Sequence, residues 1–206
     1  MLKIWGRLSS LNVRKVVLAA QELGIPFERV DAGASFGIVR TPEYLAKNPN
    51  ALVPLVEDDQ VTLWESNVIV RYLCARHAPA TLYPLALPAR FDAERWMDWQ
   101  QTTLNPAGRT AFIQWIRTPA DRRDPQLIAQ SVAATEPLLA LLDHHLSHRP
   151  FIAGDQLTMA DLPIACEIDR WASLPQPRPE RPNLERWFAG ILARPSAKGV
   201  LGLPPS

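Results

Sequence analysis

Two short segments of this sequence combine residue types that suit the binding of a small peptide-like ligand. Val53-Pro54 begins a run typical of a strand, and proline, which has no N–H, can only begin or edge a strand. A cis bond before Pro54 costs only ~0.5–1 kcal/mol over trans and would turn the N–H and C=O of Val53 towards a ligand backbone. Glu65-Ser66 lies where a strand passes into a helix. Free helix N–H groups and the hydroxyl suit a carboxylate there, and the Glu65 carboxylate suits an ammonium group.

A third segment, Ser9-Ser10-Leu11-Asn12, lies at the start of the first predicted helix and has the groups to stabilise a thiolate. Lowering the pKa of a thiol from ~8.5 to ~6.5 requires about 2.7 kcal/mol. One hydrogen bond to an ion contributes ~1.5–3 kcal/mol and a helix N-terminus ~0.3–2 kcal/mol, so no general base is required. Taken alone, each of the three segments is also consistent with ordinary helix capping or an ordinary turn.

The elements that would position these segments form a βαβ unit followed by a hairpin and a helix. Apolar residues recur at helical spacing from Val13 to Leu23, and Gly24 and Pro26 end that helix. We predict strands at 2–5 and 27–31 around this helix, a short helix at 42–47, a hairpin of 54–57 and 60–63 with a two-residue turn, and a helix at 66–77. A βαβ unit implies two parallel strands joined by a right-handed crossover.

The rest of the chain is predicted to be a linker followed by helices. Residues 78–88 contain three prolines and no helical period, which is typical of a linker. The pattern then predicts a long helix at 89–117 that Pro106 must kink or break. Further helices are predicted at 125–146, from Thr158, and at 183–193.

Composition argues against several classes of function. The 22 basic and 21 acidic side chains nearly balance, so we expect neither a nucleic-acid partner nor a membrane partner. No apolar run reaches the ~18 residues of a membrane span. Cys74 and Cys166 lie in helical patterns without a pairing motif, which predicts reduced thiols and a cytoplasmic location. His144 and His148 are four residues apart, but no further ligand cluster accompanies them, so we predict no metal site.

In order and spacing, the three segments resemble those of glutathione transferases, and the resemblance extends over nearly the whole chain. Residues 151–161 (FIAGDQLTMAD) resemble the family's helix-start signature, with Thr158 and Asp161 as a capping box, and residues 181–187 (RPNLERW) also resemble the family. The resemblance implies an α/β plus all-α fold. A thioredoxin-like glutathione-binding domain would occupy 1–78, a linker 79–88, and an all-helical domain with the electrophile pocket and the dimer contacts 89–206.

The resemblance also implies roles for individual residues. The implied glutathione contacts are Val53 and Pro54 for the cysteinyl backbone, Glu65 and Ser66 for the γ-glutamyl head group, and Arg40 for the glycyl carboxylate. Leu52 stands where many members have lysine or glutamine, which removes one contact to the glycyl end. The residues implied for the electrophile pocket are Thr102, Thr103, Asn105 and Phe112.

Three residues remain candidates for activating the thiol. The start of the chain has neither tyrosine nor cysteine, so it does not match the classes of the family that use those residues. It resembles serine-dependent, theta-like bacterial forms, with Ser10 at the serine position. Asn12 has the position of an asparagine in bacterial forms with disulfide-reductase activity, and Ser9 is the third candidate.

The resemblance therefore implies an enzyme that uses glutathione as co-substrate and conjugates its thiolate to a small hydrophobic electrophile in detoxification. It also implies a cytoplasmic homodimer without a metal. Two alternatives stay open. One is a glutathione-dependent disulfide or peroxide reductase, which Asn12 favours. The other is a non-catalytic glutathione-binding protein of transferase-like fold. Loss of the residues that bind the γ-glutamyl head group would favour this alternative, but Glu65 and Ser66 are intact.

Overall fold

The first half of the chain alternates strands and helices around a four-stranded sheet. A computed structural model describes residues 1–204. In chain order the elements are β1 (Leu2–Trp5), α1 (Leu11–Glu22), β2 (Phe27–Val30), α2 (Pro42–Leu45), β3 (Leu55–Glu57), β4 (Thr62–Trp64) and α3 (Ser66–His77). The strand order is β2-β1-β3-β4; β1 is parallel to β2, and β3 is antiparallel to β1 and β4. This arrangement confirms the predicted βαβ–ββα order and the thioredoxin-like fold.

The hairpin of β3 and β4 differs from its prediction. Glu57 pairs with Thr62, and the N–H of Asp58 donates to the carbonyl oxygen of Val61 at 3.0 Å, so the two-residue turn lies at 59–60 and its predicted position at 58–59 is wrong. Asp58 accounts for the difference, because its Oδ1 accepts hydrogen bonds from the N–H groups of Gln60 (2.8 Å) and Val61 (2.9 Å). A turn closed by an aspartate side chain satisfies backbone donors that would otherwise need partners in the strand ladder.

Helices build the second half of the chain. They are α4 (Leu87–Trp99), α5 (Asn105–Phe112), α6 (Pro125–Leu146), α7 (Asp161–Ala172) and α8 (Pro182–Leu192). Helix α4 begins inside the segment predicted as linker, because Pro88 lies in its first turn, where no N–H is needed. Among residues 1–204, no helix combines the length and the apolarity that a membrane crossing requires.

The predicted break at Pro106 is instead a change of helical pitch. A π-helical turn at 100–104 joins α4 to α5, and a second π-helical turn at 113–117 extends the helical segment to Arg117. Pro106 removes one backbone donor from the helix, and the wider π turn before it lets the chain continue without that bond. The long predicted helix therefore remains continuous.

The first turn of α7 is held by the predicted pairing of Thr158 with Asp161. The Asp161 carboxylate is fully buried and accepts hydrogen bonds from the N–H groups of Thr158 and Ile152, at 2.9 Å each. It also accepts a hydrogen bond from Nε1 of Trp187 on α8, at 2.9 Å. Because buried donors need acceptors, Asp161 ties α7 to the preceding loop and to α8.

Helix α1 is buried on two sides, since it packs against both α3 and α7. Arg14 and Lys15 lie inside this packing although both are charged. Arg14 forms an ion pair with Asp169 on α7 at 3.1 Å, and its Nε donates to the carbonyl oxygen of Leu8 at 2.9 Å. The start of α1 is thereby fixed against the helical half of the protein.

Candidate active site

A cleft of about 460 Å³ lies between the first half of the chain and the helices of the second half. The residues predicted for the site that line this cleft are Ser9, Ser10, Asn12, Val53, Asn105 and Phe112. Arg40, Thr102 and Thr103 are exposed and are not part of the lining. The structure thus brings the candidates for thiol activation together with Val53 and with two of the four residues predicted for the electrophile pocket.

Ser10 is the N-cap of α1. Its backbone is extended (φ −83°, ψ 123°), and its carbonyl oxygen accepts the N–H groups of Val13 and Arg14 at 3.0 Å each. Its hydroxyl makes no capping hydrogen bond with any residue from 1 to 204. Because a helix N-terminus carries partial positive charge, the hydroxyl and the helix end can both stabilise an anion at this point.

Asn12 joins this point to the start of α3. The Oγ of Ser66 donates a hydrogen bond to Oδ1 of Asn12 at 3.3 Å; Ser66 is buried and Glu65 is exposed. Ser66 is the first residue of α3, so its N–H has no acceptor within the helix. Glu65 has a φ of 72°, which is uncommon for a residue with a side chain and is found preferentially at ligand sites. The segment predicted for the head group therefore adjoins the segment predicted for the thiol.

The peptide bond between Val53 and Pro54 is cis, as predicted. The carbonyl oxygen of Leu52, just before it, accepts hydrogen bonds from Oη of Tyr44 (2.6 Å) and Nδ2 of Asn48 (2.9 Å). Burial raises the pKa of Tyr44 to about 12, so this phenol stays protonated and able to donate. Residues 1–204 form no hydrogen bond with the N–H or C=O of Val53, which leaves both groups able to pair with a ligand backbone.

A buried lysine connects α1 to the wall of the cleft. Nζ of Lys15 donates to Oε1 of Gln100 (2.8 Å) and of Gln101 (2.9 Å). Nε2 of Gln100 and Nδ2 of Asn105 in turn donate to Oε2 of Glu167, at 2.9 and 3.0 Å. Burial lowers the pKa of Lys15 to about 8, although the Glu167 carboxylate opposes the shift. Gln101 and Asn105, which line the cleft, are therefore held in place by α1 and α7.

Sequence reasoning missed the arginines of this cleft, which are Arg7, Arg14, Arg109, Arg117 and Arg170. Arg14 pairs with Asp169, and Arg170 pairs with Glu167. The other three have no ion-pair partner in the described part of the chain. One sequence signal was available: the segment 99–120 contains two arginines and no acidic residue.

Comparison with known proteins agrees with this architecture. Residues 1–75 match the family model of the glutathione S-transferase N-terminal domain, and residues 104–195 match that of the C-terminal domain. Glutathione S-transferase GstB of Escherichia coli K12 is 40% identical over 208 residues, with 100% of both chains covered. Glutathione S-transferase 4 of Zea mays is 28% identical, with 98% of this chain and 93% of the maize protein covered. The theta class glutathione S-transferase of Xanthomonas axonopodis pv. citri, solved with glutathione bound, has a TM-score of 0.95 at 40% identity and covers 100% of this chain and 99% of its own.

The fold, the cleft and these similarities define a two-domain transferase that uses glutathione. The chain belongs to the glutathione S-transferase family. The family, fold class and enzyme class predicted from the sequence are thereby confirmed.

Proposed function

We propose that Ser10 stabilises the thiolate of bound glutathione and that this thiolate is conjugated to a small electrophile in the cleft. The observation that carries the proposal is the Ser10 hydroxyl, which belongs to the cleft lining at the N-terminus of α1 and makes no capping bond with residues 1–204. A hydroxyl donates a hydrogen bond to sulfur without losing its proton, and the helix end adds to the stabilisation. Asn12 assists in this proposal, and Ser9 is the third candidate.

In this proposal glutathione is held along its length. Its cysteinyl backbone pairs with the N–H and C=O of Val53, its γ-glutamyl carboxylate binds Ser66 and the N-terminus of α3, and its ammonium group meets the Glu65 carboxylate. Support comes from the Ser66–Asn12 hydrogen bond of 3.3 Å, which links the proposed head-group contact directly to the cleft. Arg40, on the loop before α2, is the proposed contact for the glycyl carboxylate.

The electrophile is proposed to bind against the helical wall of the cleft. The thiolate sulfur attacks an electrophilic carbon, a C–S bond forms, and the leaving group departs with its bonding electron pair. Phe112 and Ile113 line this wall, and their apolar side chains favour the hydrophobic substrate that the resemblance implies. Asn105, held by Glu167, adds a polar group to the same wall.

A glutathione-dependent disulfide or peroxide reductase is the second candidate, and the presence of Asn12 in the cleft favours it. Cys74 and Cys166 are both 0% exposed, and burial raises the pKa of each to about 12. Neither thiol can therefore supply a thiolate at neutral pH. In a reductase, one glutathione thiolate would attack the disulfide and a second glutathione would resolve the mixed disulfide.

Ultraviolet titration of the thiolate of bound glutathione tests the proposal without a second substrate. Ser10→Ala should raise the apparent pKa by about one unit or more, since one unit is 1.36 kcal/mol and a hydrogen bond to an ion contributes at least as much. Asn12→Ala should raise it by less. Ser147→Ala, which removes an exposed hydroxyl at the end of α6, is the control. If Asn12→Ala shifts the titration and Ser10→Ala does not, Asn12 is the activating residue and the reductase becomes the first candidate.

We further propose that the protein is a cytoplasmic homodimer that acts in detoxification. Both halves expose apolar side chains: Trp64 and Val68 are 38% and 44% exposed, and Leu87 and Phe91 on α4 are 59% and 61% exposed. Burial of apolar surface contributes ~25 cal/mol per Å², so a second copy that covers these residues would be stabilised. The family resemblance implies that the first half of one chain faces the helical half of the other near the first long helix. Two free, buried cysteines agree with a reducing compartment.

A further inference from the structure

Arg7, Arg109 and Arg117 concentrate positive charge in the cleft. No carboxylate among residues 1–204 forms an ion pair with them, and no aspartate or glutamate is part of the cleft lining. The formal net charge of the whole chain is only +1. The excess of positive charge is therefore a property of the cleft and does not reflect a generally basic protein.

The arginines of the helical wall lie close to one another. The guanidinium carbons of Arg117 and Arg170 are 5.0 and 5.1 Å from the ring centre of Phe112, so both groups contact one aromatic side chain. Partial burial lowers the pKa of Arg117, and the charges of Arg7, Arg170 and Arg109 lower it further. An anion bound among these groups would offset their mutual repulsion.

The backbone leaves room for Arg7 at the edge of the cleft. Gly33 has a φ of 80°, and a Cβ atom at this position would lie 2.9 Å from Nη1 of Arg7 and 3.4 Å from Cγ1 of Val53. Any side chain there would have to displace the guanidinium group. Arg7 and Ser10 belong to the same short loop and line the same cleft, so this charge shares the cleft with the proposed thiolate.

We propose that the second substrate carries a carboxylate that Arg117, Arg7 and Arg109 bind while the glutathione thiolate attacks a nearby carbon. The inference rests on the proposed function and specifies its substrate class, a small acidic electrophile such as a 2-halo acid. The carboxylates of glutathione have their own proposed contacts at Ser66 and Arg40, which leaves the cleft arginines for the second substrate. The reaction needs no further reactant: a C–S bond forms, the C–halogen bond breaks, and the halide leaves with the electron pair.

Iodoacetate and iodoacetamide test the substrate class, because they share a reactive carbon and a leaving group and differ in charge. Initial rates of glutathione conjugation are measured for both reagents and corrected for the uncatalysed reaction. The ratio of kcat/KM for iodoacetate to that for iodoacetamide should exceed the uncatalysed ratio by about tenfold or more, which corresponds to about 1.4 kcal/mol. Added salt should reduce this preference by screening the charges. Both cysteines are 0% exposed, so neither protein thiol competes with glutathione for the reagents.

Single substitutions test the arginines themselves. Arg117→Gln and Arg7→Gln should each lower the ratio about tenfold. Arg117→Lys should lower it less than Arg117→Gln, because the charge is kept while the planar contact with Phe112 is lost. Arg122→Gln is the matched control, since it removes the same charge from an exposed side chain outside the cleft lining. Calorimetry with glutathione accompanies each variant and should give an unchanged Kd.

The outcomes separate the inference from the proposed function. Conjugation of iodoacetamide without a preference for iodoacetate overturns the acidic substrate class and leaves the transferase proposal intact. The inference is also overturned if Arg122→Gln lowers the kcat/KM ratio of iodoacetate to iodoacetamide as much as the cleft variants do, or if the cleft variants bind glutathione more weakly. If neither reagent is conjugated above the uncatalysed rate, the inference fails, whereas the proposed function fails separately if neither Ser10→Ala nor Asn12→Ala shifts the titration of bound glutathione.

Discussion

The buried ammonium group of Lys15 should make the free energy of unfolding rise with pH above about pH 8. The side chain is 0% exposed, and Nζ donates to amide oxygens of Asn67 (3.3 Å), Gln100 (2.8 Å) and Gln101 (2.9 Å). Burial lowers the pKa of Lys15 from 10.5 to about 8, against the opposing effect of the Glu167 carboxylate. The folded protein therefore releases this proton at a lower pH than the unfolded chain.

The sign and size of the effect follow from this shift in pKa. Below pH 8, Lys15 is protonated in both states, and burying the cation costs stability. Between about pH 8 and 10.5 only the unfolded chain keeps the proton, so stability rises with pH, and the gain is complete above 10.5. At 1.36 kcal/mol per unit, the total is about 3 kcal/mol, of which about 2 kcal/mol falls between about pH 7.5 and about pH 10.

Other buried groups act in the opposite direction over the same range. Burial raises the pKa of Cys74 and of Cys166 from 9.0 to about 12, so the unfolded thiols ionise first and stability falls as the pH rises above 9.0. Comparing wild type with Lys15→Met removes this contribution, because both proteins share it. The substitution also leaves amide oxygens without a donor, which changes stability by an amount nearly independent of pH.

Urea unfolding of both proteins at about pH 7.5 and about pH 10 measures the effect. The difference in unfolding free energy should move by about 2 kcal/mol in favour of wild type at the higher pH. Lys198→Met, which removes an exposed ammonium group, is the control and should follow the wild-type pH dependence. Equal differences at the two pH values would refute the reasoning, because Lys15 would then titrate alike in the folded and unfolded states.

Three further results are expected. Calorimetry should show that Ser66→Ala and Glu65→Ala each weaken glutathione binding by ~1.5–3 kcal/mol, because each removes a hydrogen bond to a charged group. Unchanged affinity in both variants would mean that the γ-glutamyl head group binds elsewhere. Light scattering at micromolar concentration should give twice the chain mass of 23.0 kDa, and a 23.0 kDa particle would contradict the homodimer. Asp161→Ala should lower the free energy of unfolding by about 3 kcal/mol or more, since three buried N–H donors lose their acceptor at ~1–3 kcal/mol each. Chemical denaturation measures this loss against Asp155→Ala, which removes an exposed carboxylate; equal effects would mean that the Asp161 contacts contribute little.

Local signals were sufficient to predict most of the element boundaries. Gly24, with a φ of 64°, follows the end of α1, and Ser66 begins α3, as the sequence predicts. Thr158 and Asp161 likewise mark the start of α7 through hydrogen bonds between residues three apart. A cap, a glycine or a proline acts on backbone groups within one turn of itself, so its effect can be predicted without knowing the rest of the fold.

The errors in the fold arose where the local alternatives differ little in energy. Asp58 either belongs to the two-residue turn or precedes it and binds two backbone N–H groups, and the sequence pattern is the same for both. Pro106 either breaks a helix or is accommodated by a π turn, and the packing of the surrounding helix decides between them. Neither choice changes the order of the elements, so the predicted fold class was unaffected.

The burial of Lys15 and the meeting of the cleft arginines could not be predicted, because the surroundings of these residues come from positions far apart in the sequence. The apolar spacing of Val13, Val16 and Val17 accounts for one buried face of α1 and assigns Lys15 to solvent. In the folded chain α7 packs against α1 as well, and the partners of Lys15 come from positions 67, 100 and 101. The meeting of the two halves likewise brings Arg7 into one cleft with arginines of the helical wall. The proposed glutathione contacts belong to short segments of the first half, whereas the proposed contact for an acidic electrophile exists only across that junction. Glutathione was therefore predictable from the sequence, and the proposed charge of the second substrate was not.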